Sequence, residues 1–294
     1  MKIKRGFGEI LFDVINYCLL CVLIILTLYP LLYVVFASFS DPALLMKNRG
    51  LLLGSIGFTT EAYIRVFENP MITTGYRNTL FYVIGGTVLN ILMTSMGAYV
   101  LSRRNLMLRR PAMFLIIFTL FFSGGLIPTF LLVGRTLNMM DTPWALIIPG
   151  AIYTVNLIIM RTAFEGIPAE MEEAARMDGA NDFHILFRII LPLSMPVVSV
   201  MILFYAVGHW NSFFPAMVYL RTRDLYPLQL ILREILISNA TDSMTAGVSS
   251  GDVMPIGETI KYATIVVATL PILTVYPFLQ RYFVKGVLIG AVKE

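Results

Sequence analysis

The chain has 294 residues, 57% of them hydrophobic and 14% charged, with a formal net charge of +4 and a mean hydropathy of +0.79. An ordinary soluble domain is about half apolar and a quarter charged, so a water-soluble fold of this length has nowhere to hide so much apolar surface. The basic residues sit in short clusters between apolar runs, not on a polar domain, which argues against a nucleic-acid partner and leaves membrane lipid as the main solvent.

Apolar runs of about 20 residues, enough to cross ~30 Å of hydrocarbon at ~1.5 Å per residue, recur along the whole chain. Residues 1–5 carry Lys2, Lys4 and Arg5, and the apolar run from Ile10 continues to about Ser38. That is longer than the ~7–15 residue core of a secretory signal, so it reads as an uncleaved first span. Cys18 and Cys21 lie within it, and with no further cysteine to complete a zinc site they read as small packing residues. Six spans are predicted, over residues 10–38, 78–101, 112–132, 143–160, 192–219 and 259–282. Four basic clusters then share one side: Lys2, Lys4 and Arg5; Arg103, Arg104, Arg109 and Arg110; Arg161, Arg176 and Arg188; Arg281, Lys285 and Lys293. By the positive-inside rule that side is the cytoplasm, and both termini are expected there. No linker or low-complexity tract divides residues 1–294, which read as a single all-α transmembrane domain.

Two spans carry breakers. Phe121-Phe122-Ser123-Gly124-Gly125-Leu126-Ile127-Pro128 interrupts the third, and Pro149-Gly150 the fourth. Non-helical backbone at membrane depth must find protein or water partners, which favours a bundle around a path, although a packing kink fits either site alone. Between the fourth and fifth spans, residues 165–191 form a predicted helical hairpin. Pro168 suits a first helical position, with Glu170, Glu172 and Glu173 near the positive end of the helix dipole. Gly179 allows a sharp turn, and Asn181 caps a second helix expected to end before Pro192. Phe183, Leu186, Phe187 and Ile190 have the spacing of one face, with His184 and Arg188 on another. Such a hairpin can pack on its own bundle or dock on a partner.

Glu173-Ala174-Ala175, then Asp178-Gly179-Ala180, then Ile189-Ile190-Leu191-Pro192 resembles the EAA loop of the permease subunits of ABC importers. The likeness extends to Asn78-Thr79-Leu80, to the stretch from Phe122 to Pro128, to Trp210-Asn211 and to Lys285-Gly286, and it is to the carbohydrate-uptake branch. The resemblance implies a type I importer fold of six transmembrane helices in the bacterial plasma membrane. The hairpin would be a coupling helix seated in a groove of an ATPase subunit, with Glu173 as its polar anchor, Gly179 as its turn, and Ala174, Ala175, Asp178 and Ala180 beside them. It further implies a second permease, a related but different chain, two ATPase subunits, an extracellular solute-binding protein, and an oligosaccharide as cargo. In the family the tail also approaches the ATPase; here that is residues 286–292, although the chain ends in Glu294 where relatives often end in glycine.

No phosphate-binding Gly-x-x-x-x-Gly-Lys-Ser/Thr motif and no hydrolase signature occurs in the chain, so ATP and magnesium are expected on the partners and no cofactor or metal on this subunit. The rival reading, an ion-coupled secondary transporter of a polar solute, wants ionisable groups in the membrane, and none falls near mid-depth of the predicted spans. His209, Trp210 and Asn211 are the candidate substrate-pathway residues, offering a flat ring and polar groups within one turn. Trp210 fits an interfacial or packing aromatic better than a pathway residue.

Overall fold

The computed structural model describes residues 6–48, 50–103, 105–245, 259–274 and 277. The expected tail contacts of residues 286–292, both chain termini, Arg104 and most of residues 275–282 lie outside the described residues. Every regular element among the described residues is a helix. The chain divides into two compact units, Met1–Asn69 with Glu234–Thr269, and Pro70–Arg233 with Leu270–Glu294.

The first unit holds α1 (Phe7–Ser38), whose 32 residues make about 48 Å of helix. Its most apolar stretch is not buried within the chain at all, as suits a helix whose solvent is lipid. The last turn of α1 is the part that packs. Ala37, Leu45 and Leu52 form a small core with Tyr33, Phe36, Ile56 and Tyr262, reinforced by Ser38 Oγ and Tyr63 Oη at 2.7 Å and by Leu52 N donating to Tyr29 Oη at 3.1 Å. The short α2 (Pro42–Lys47) starts on the Asp41 carboxylate, which accepts from Ala43 N and Leu44 N at 3.0 Å. An amphipathic α3 (Glu61–Glu68) and α15 (Thr259–Thr274) complete the regular structure met here.

The second unit is organised on α4 (Pro70–Ser102), 33 residues long. It packs chiefly against α8 (Thr154–Glu165) and α12 (Met195–Trp210). Small and hydroxylated residues on α4, among them Thr79, Thr87, Thr94, Ser95 and Ala98, are buried and permit close helix approach in a solvent that gives no hydrophobic drive between helices. The main core is formed by Ala98, Met160, Phe164, Ile185, Ile190 and Met201, all fully buried.

The described residues of the expected spans are largely helical, but several of these spans are not straight. Only α1 and α4 are individually long and apolar enough to cross a bilayer among the described residues. The third expected span is α5 (Arg109–Phe121) followed by α6 (Leu126–Leu131) and a π turn over Leu132–Thr136, with the axis bent by 112° at the Ser-Gly-Gly break. The fourth is α7 (Trp144–Ile147), an irregular stretch through Pro149 and Gly150, and α8. The fifth expected span, 192–219, is α12 plus α13 (Phe214–Tyr219), parted at residues 211–213. Glycine breaks the helical ladder at the first of these places and proline with glycine at the second, where buried side chains from neighbouring helices take up freed backbone groups. Asn90 Nδ2 donates to Gly150 O at 2.6 Å and Tyr153 N to Tyr205 Oη at 3.3 Å. The second unit also contains the start of α14 (Leu228–Thr245), where Leu228 N donates to Thr79 Oγ1 at 2.8 Å.

Candidate coupling site

The hairpin begins where α8 ends. Pro168 is the residue preceding α9 (Ala169–Met177), one position earlier than expected, with Glu170 and Glu172 in the first turn. Asp178 closes the helix and Gly179 follows at φ +81°. That left-handed geometry lets Ala180 N reach Ala175 O at 2.9 Å and Gly179 N reach Arg176 O at 3.0 Å, the paired bonds of a Schellman stop, for which glycine has no steric penalty. Asn181 Oδ1 then accepts from His184 N at 2.8 Å and caps α10 (Asp182–Ile185).

The second hairpin helix differs from expectation in length and in face. It runs from α10 through a π turn (Leu186–Ile190) into α11 (Leu191–Leu193), so Pro192 lies inside the helical run and the break comes at Ser194. Pro192 tolerates this because it occupies the first turn of a new short helix, where an N–H has no intrahelical acceptor. The π turn also adds a residue per turn, which rotates the buried face. Of the face expected from 3.6-residue spacing, Leu186 and Ile190 are buried, joined by Ile185, whereas Phe183 and Phe187 are exposed. Residues Asp182–Leu193 meet α12 at 89°; a helix that lies flat beneath a bilayer and one that crosses it are related in this way.

Glu173 and Ala174 face outward, Asp178 and Gly179 are exposed at the turn, and no atom lies near where a Cβ on Gly179 would stand. Glu170, Glu173, Ala174, Arg176 and Met177 line a shallow concavity on this side. Ala175 and Ala180 turn the other way and rest on the main core. Glu173, expected as the anchor, makes no ion pair among the described residues, while its neighbour Glu172 is buried and holds two.

That neighbour is the feature sequence reasoning passed over. The carboxylate of Glu172 pairs with Arg103, accepts from Arg176 Nη2 at 3.0 Å and accepts from Tyr99 Oη at 3.2 Å. Asp182, at the start of the second helix, accepts from Arg176 Nη2 at 2.6 Å and from Tyr99 Oη at 3.3 Å. The Arg103 guanidinium lies 4.7 Å from the centre of the Tyr99 ring, a stabilising cation–π placement, and donates to Phe164 O at 3.5 Å. Burial pulls the pKa of Arg103 below its ordinary value, with Tyr99 and Asp182 acting in the opposite sense and Arg176 in the same sense. Arg109 and Arg161 share Glu165 in a parallel cluster, Arg161 at 2.6 Å, so four of the basic residues assigned to one side of the membrane do converge there. The spacing of Glu172 and Arg176, four apart on a helix, was visible in the sequence; their partners on α4 lie about seventy residues away and left no local signal.

Residues 94–289 match the family described as binding-protein-dependent transport system inner membrane component. The chain belongs to this family. The permease is 42% identical over 284 residues, 96% of this chain and 98% of the relative, to the polygalacturonan/rhamnogalacturonan transport system permease protein YtcP of Bacillus subtilis (strain 168). It is 30% identical over 274 residues, 91% of this chain and 92% of the relative, to the arabinooligosaccharides transport system permease protein AraQ of Halalkalibacterium halodurans. Among solved structures it is similar to a chain of a bacterial ABC transporter involved in the import of the acidic polysaccharide alginate, at 34% identity and TM-score 0.86, covering 96% of this chain and all of that one. The carbohydrate-uptake resemblance is therefore shared by sequence and fold, and the helical architecture is that of an ABC importer permease.

The candidate pathway residues of the permease occupy three different settings. His209 Nε2 is 2.7 Å from Asn90 Oδ1, and a Cβ on Gly86 would fall 2.4 Å from that same ring nitrogen, so only glycine lets the imidazole lie against α4. Trp210 is buried, with its ring 6.3 Å from that of Tyr76. Asn211 is exposed beyond the end of α12. Asn90 is fully buried and bridges His209 to Gly150 O, while Thr94 Oγ1 and Tyr205 Oη are 2.7 Å apart one turn further on.

Proposed function

We propose that this permease forms one half of the translocation path of an ATP-driven importer of oligosaccharides, completed by a second, related permease and powered by two ATPase subunits that bind the ATP and magnesium. An extracellular solute-binding protein delivers the cargo. The chain acts as one transmembrane domain of six crossings, three of them broken, with both termini on the cytoplasmic side and with residues 286–292 near the ATPase. Relatives named for polygalacturonan/rhamnogalacturonan and for arabinooligosaccharide transport support an oligosaccharide or polysaccharide fragment as the cargo class.

The observation that carries the reading is the hairpin's two-sided build. Ile185, Leu186 and Ile190 seat it on its own bundle, while Glu173, Ala174, Met177, Asp178 and Gly179 stay open to a partner. In this reading Glu173 is the anchor on the ATPase groove, Gly179 sets the turn, and Ala174, Ala175, Asp178 and Ala180 shape the hairpin. ATP binding draws the ATPases together, the hairpins move with them, and the spans reorient around the cargo. His209 and Trp210 contribute to the walls of the path from behind, and Asn211 is the member of that trio placed to meet sugar hydroxyls.

The reading is tested in proteoliposomes that hold the permease with its partners and binding protein. Uptake of radiolabelled oligogalacturonide should require ATP and should survive collapse of proton and sodium gradients. Glu173→Ala and Gly179→Val should insert normally and lose transport. Uptake abolished by gradient collapse and indifferent to ATP would instead identify an ion-coupled transporter.

A further inference from the structure

The hairpin is held to the spans in two unlike ways. Ile185, Leu186 and Ile190, with Ala175 and Ala180, make apolar contacts, which resist separation but have no preferred direction and permit sliding. The cluster centred on Glu172 is directional. It joins both hairpin helices, through Glu172 and Arg176 on α9 and Asp182 on α10, to Tyr99 and Arg103 at the end of α4. Through Arg103 and Phe164 O it reaches the end of α8 as well. Charge-assisted and forked hydrogen bonds of this kind fix relative orientation as well as distance.

Glu172 and Glu173 are consecutive on α9 and so point about 100° apart around it. One is turned into the bundle and the other is presented outward. Load taken up at Glu173 therefore enters the spans through the adjacent residue. We propose that the Tyr99–Arg103–Glu172–Arg176–Asp182 cluster is a strut that makes the hairpin move as one body with the inner ends of α4 and α8, with Glu172 and Arg103 as its positioning residues. This rests on the coupling reading given above and says where in the chain the coupling is transmitted.

The test uses the assembled complex with the full-length permease in a Cys18→Ser, Cys21→Ser background. Spin labels on Met177→Cys in the hairpin and Met107→Cys beyond α4, both highly exposed positions, report how tightly the two segments keep their separation. Ala174→Cys reports docking by cross-linking to the ATPase. In Glu172→Gln, cross-linking is expected to persist, the distance distribution to broaden at least twofold, and binding-protein-stimulated ATP turnover to fall about tenfold, the scale of one lost charge-assisted bond. Should that variant fail to assemble, Arg103→Lys and Tyr99→Phe, which keep the carboxylate and its charge balance, are expected to show the same pairing of broadened distance and reduced stimulation at about two- to threefold. Unchanged distance width in whichever of these variants assembles overturns the strut, whatever happens to turnover, because a merely structural role leaves the hairpin's rigidity where it was. Normal stimulation despite a broadened distance also overturns it. A wild-type hairpin that never cross-links to the ATPase overturns the coupling reading itself, a result distinguishable from the others because it needs no variant.

Discussion

Helix α4 carries two polar clusters with opposite chemistry. Midway along it, Asn90 and Thr94 meet Gly150 O, His209 and Tyr205 through hydrogen bonds that need no formal charge. Two to three turns later, Arg103 forms an ion pair with Glu172 and Tyr99 donates to Glu172 and Asp182, both of which also pair with Arg176. The separation follows from solvent. A formal charge deep in hydrocarbon is costly, whereas an amide or hydroxyl is tolerated wherever a broken helix leaves backbone groups to be met. Near the water boundary the penalty shrinks, so carboxylates and guanidinium groups can be used, and they hold direction better than neutral bonds do. The middle of α4 therefore stabilises an irregular piece of backbone, and its end holds the hairpin.

That contrast can be broken most severely at Asn90. Asn90→Leu leaves Gly150 O and His209, both partly buried, without the partner that Asn90 supplies, at about 1–3 kcal/mol for each group, and the melting temperature in detergent should fall by several degrees. Gly86→Val should reproduce the loss by pushing His209 away from α4. Arg103→Met should cost less, about 1–2 kcal/mol, because the pair it breaks is partly exposed and Arg176 remains beside Glu172.

Salt sharpens the comparison. Raising ionic strength from about 0.1 to about 1 M shortens the screening length from ~10 to ~3 Å. The wild type should then lose part of its melting-temperature advantage over Arg103→Met and none of its advantage over Asn90→Leu. Equal salt responses in the two variants would mean that the α4 clusters do not differ in kind. Thr94→Val should be milder, about 0.6 kcal/mol as is usual for an interhelical bond in a membrane, since Tyr205 keeps its contact with Tyr153 N.

The smallest effect is expected away from α4, where Asp141 accepts from Thr222 Oγ1 at 2.6 Å and from Thr222 N and Arg221 N at 2.8 Å. The Thr222 hydroxyl first, and then the two backbone amides, hold the Asp141 carboxyl below its ordinary pKa of 3.8. A depressed pKa in the folded state stabilises the loop junction above the unfolded value and loses that contribution as pH falls below about 4 through the folded value. Amide exchange at Arg221 and Thr222, corrected for its intrinsic pH dependence, should rise in that window. In Asp141→Asn it should already be raised at neutral pH and show no such step.

The hairpin shows how far sequence reasoning reaches. Its turn at Gly179 and its cap at Asn181 were legible because each depends on residues within five positions of one another. The breaks at Gly124-Gly125 and Pro149-Gly150 were legible for the same reason. The buried face of the second helix was not, because a π turn changes the period on which the reading depended. Glu172 was not distinguished from Glu173, since both are acidic, adjacent and well placed for the helix dipole. His209 and Trp210 read as pathway candidates from composition, and what they touch depends on Asn90, Gly86 and Tyr76, more than a hundred residues away.

By itself the sequence determined that the chain is a helical membrane protein, which side its charges favour, where its hairpin turns and two of its spans break, and which family motif lies before the fifth span. These follow from hydropathy, local propensity and short-range backbone chemistry, none of which needs a distant partner. Only the tertiary structure decided which of two neighbouring glutamates is anchored, which hairpin face is free, and how the broken fourth span is satisfied. Those choices depend on groups brought together by packing, and an ion pair or buried amide has no identity until its partner is in place.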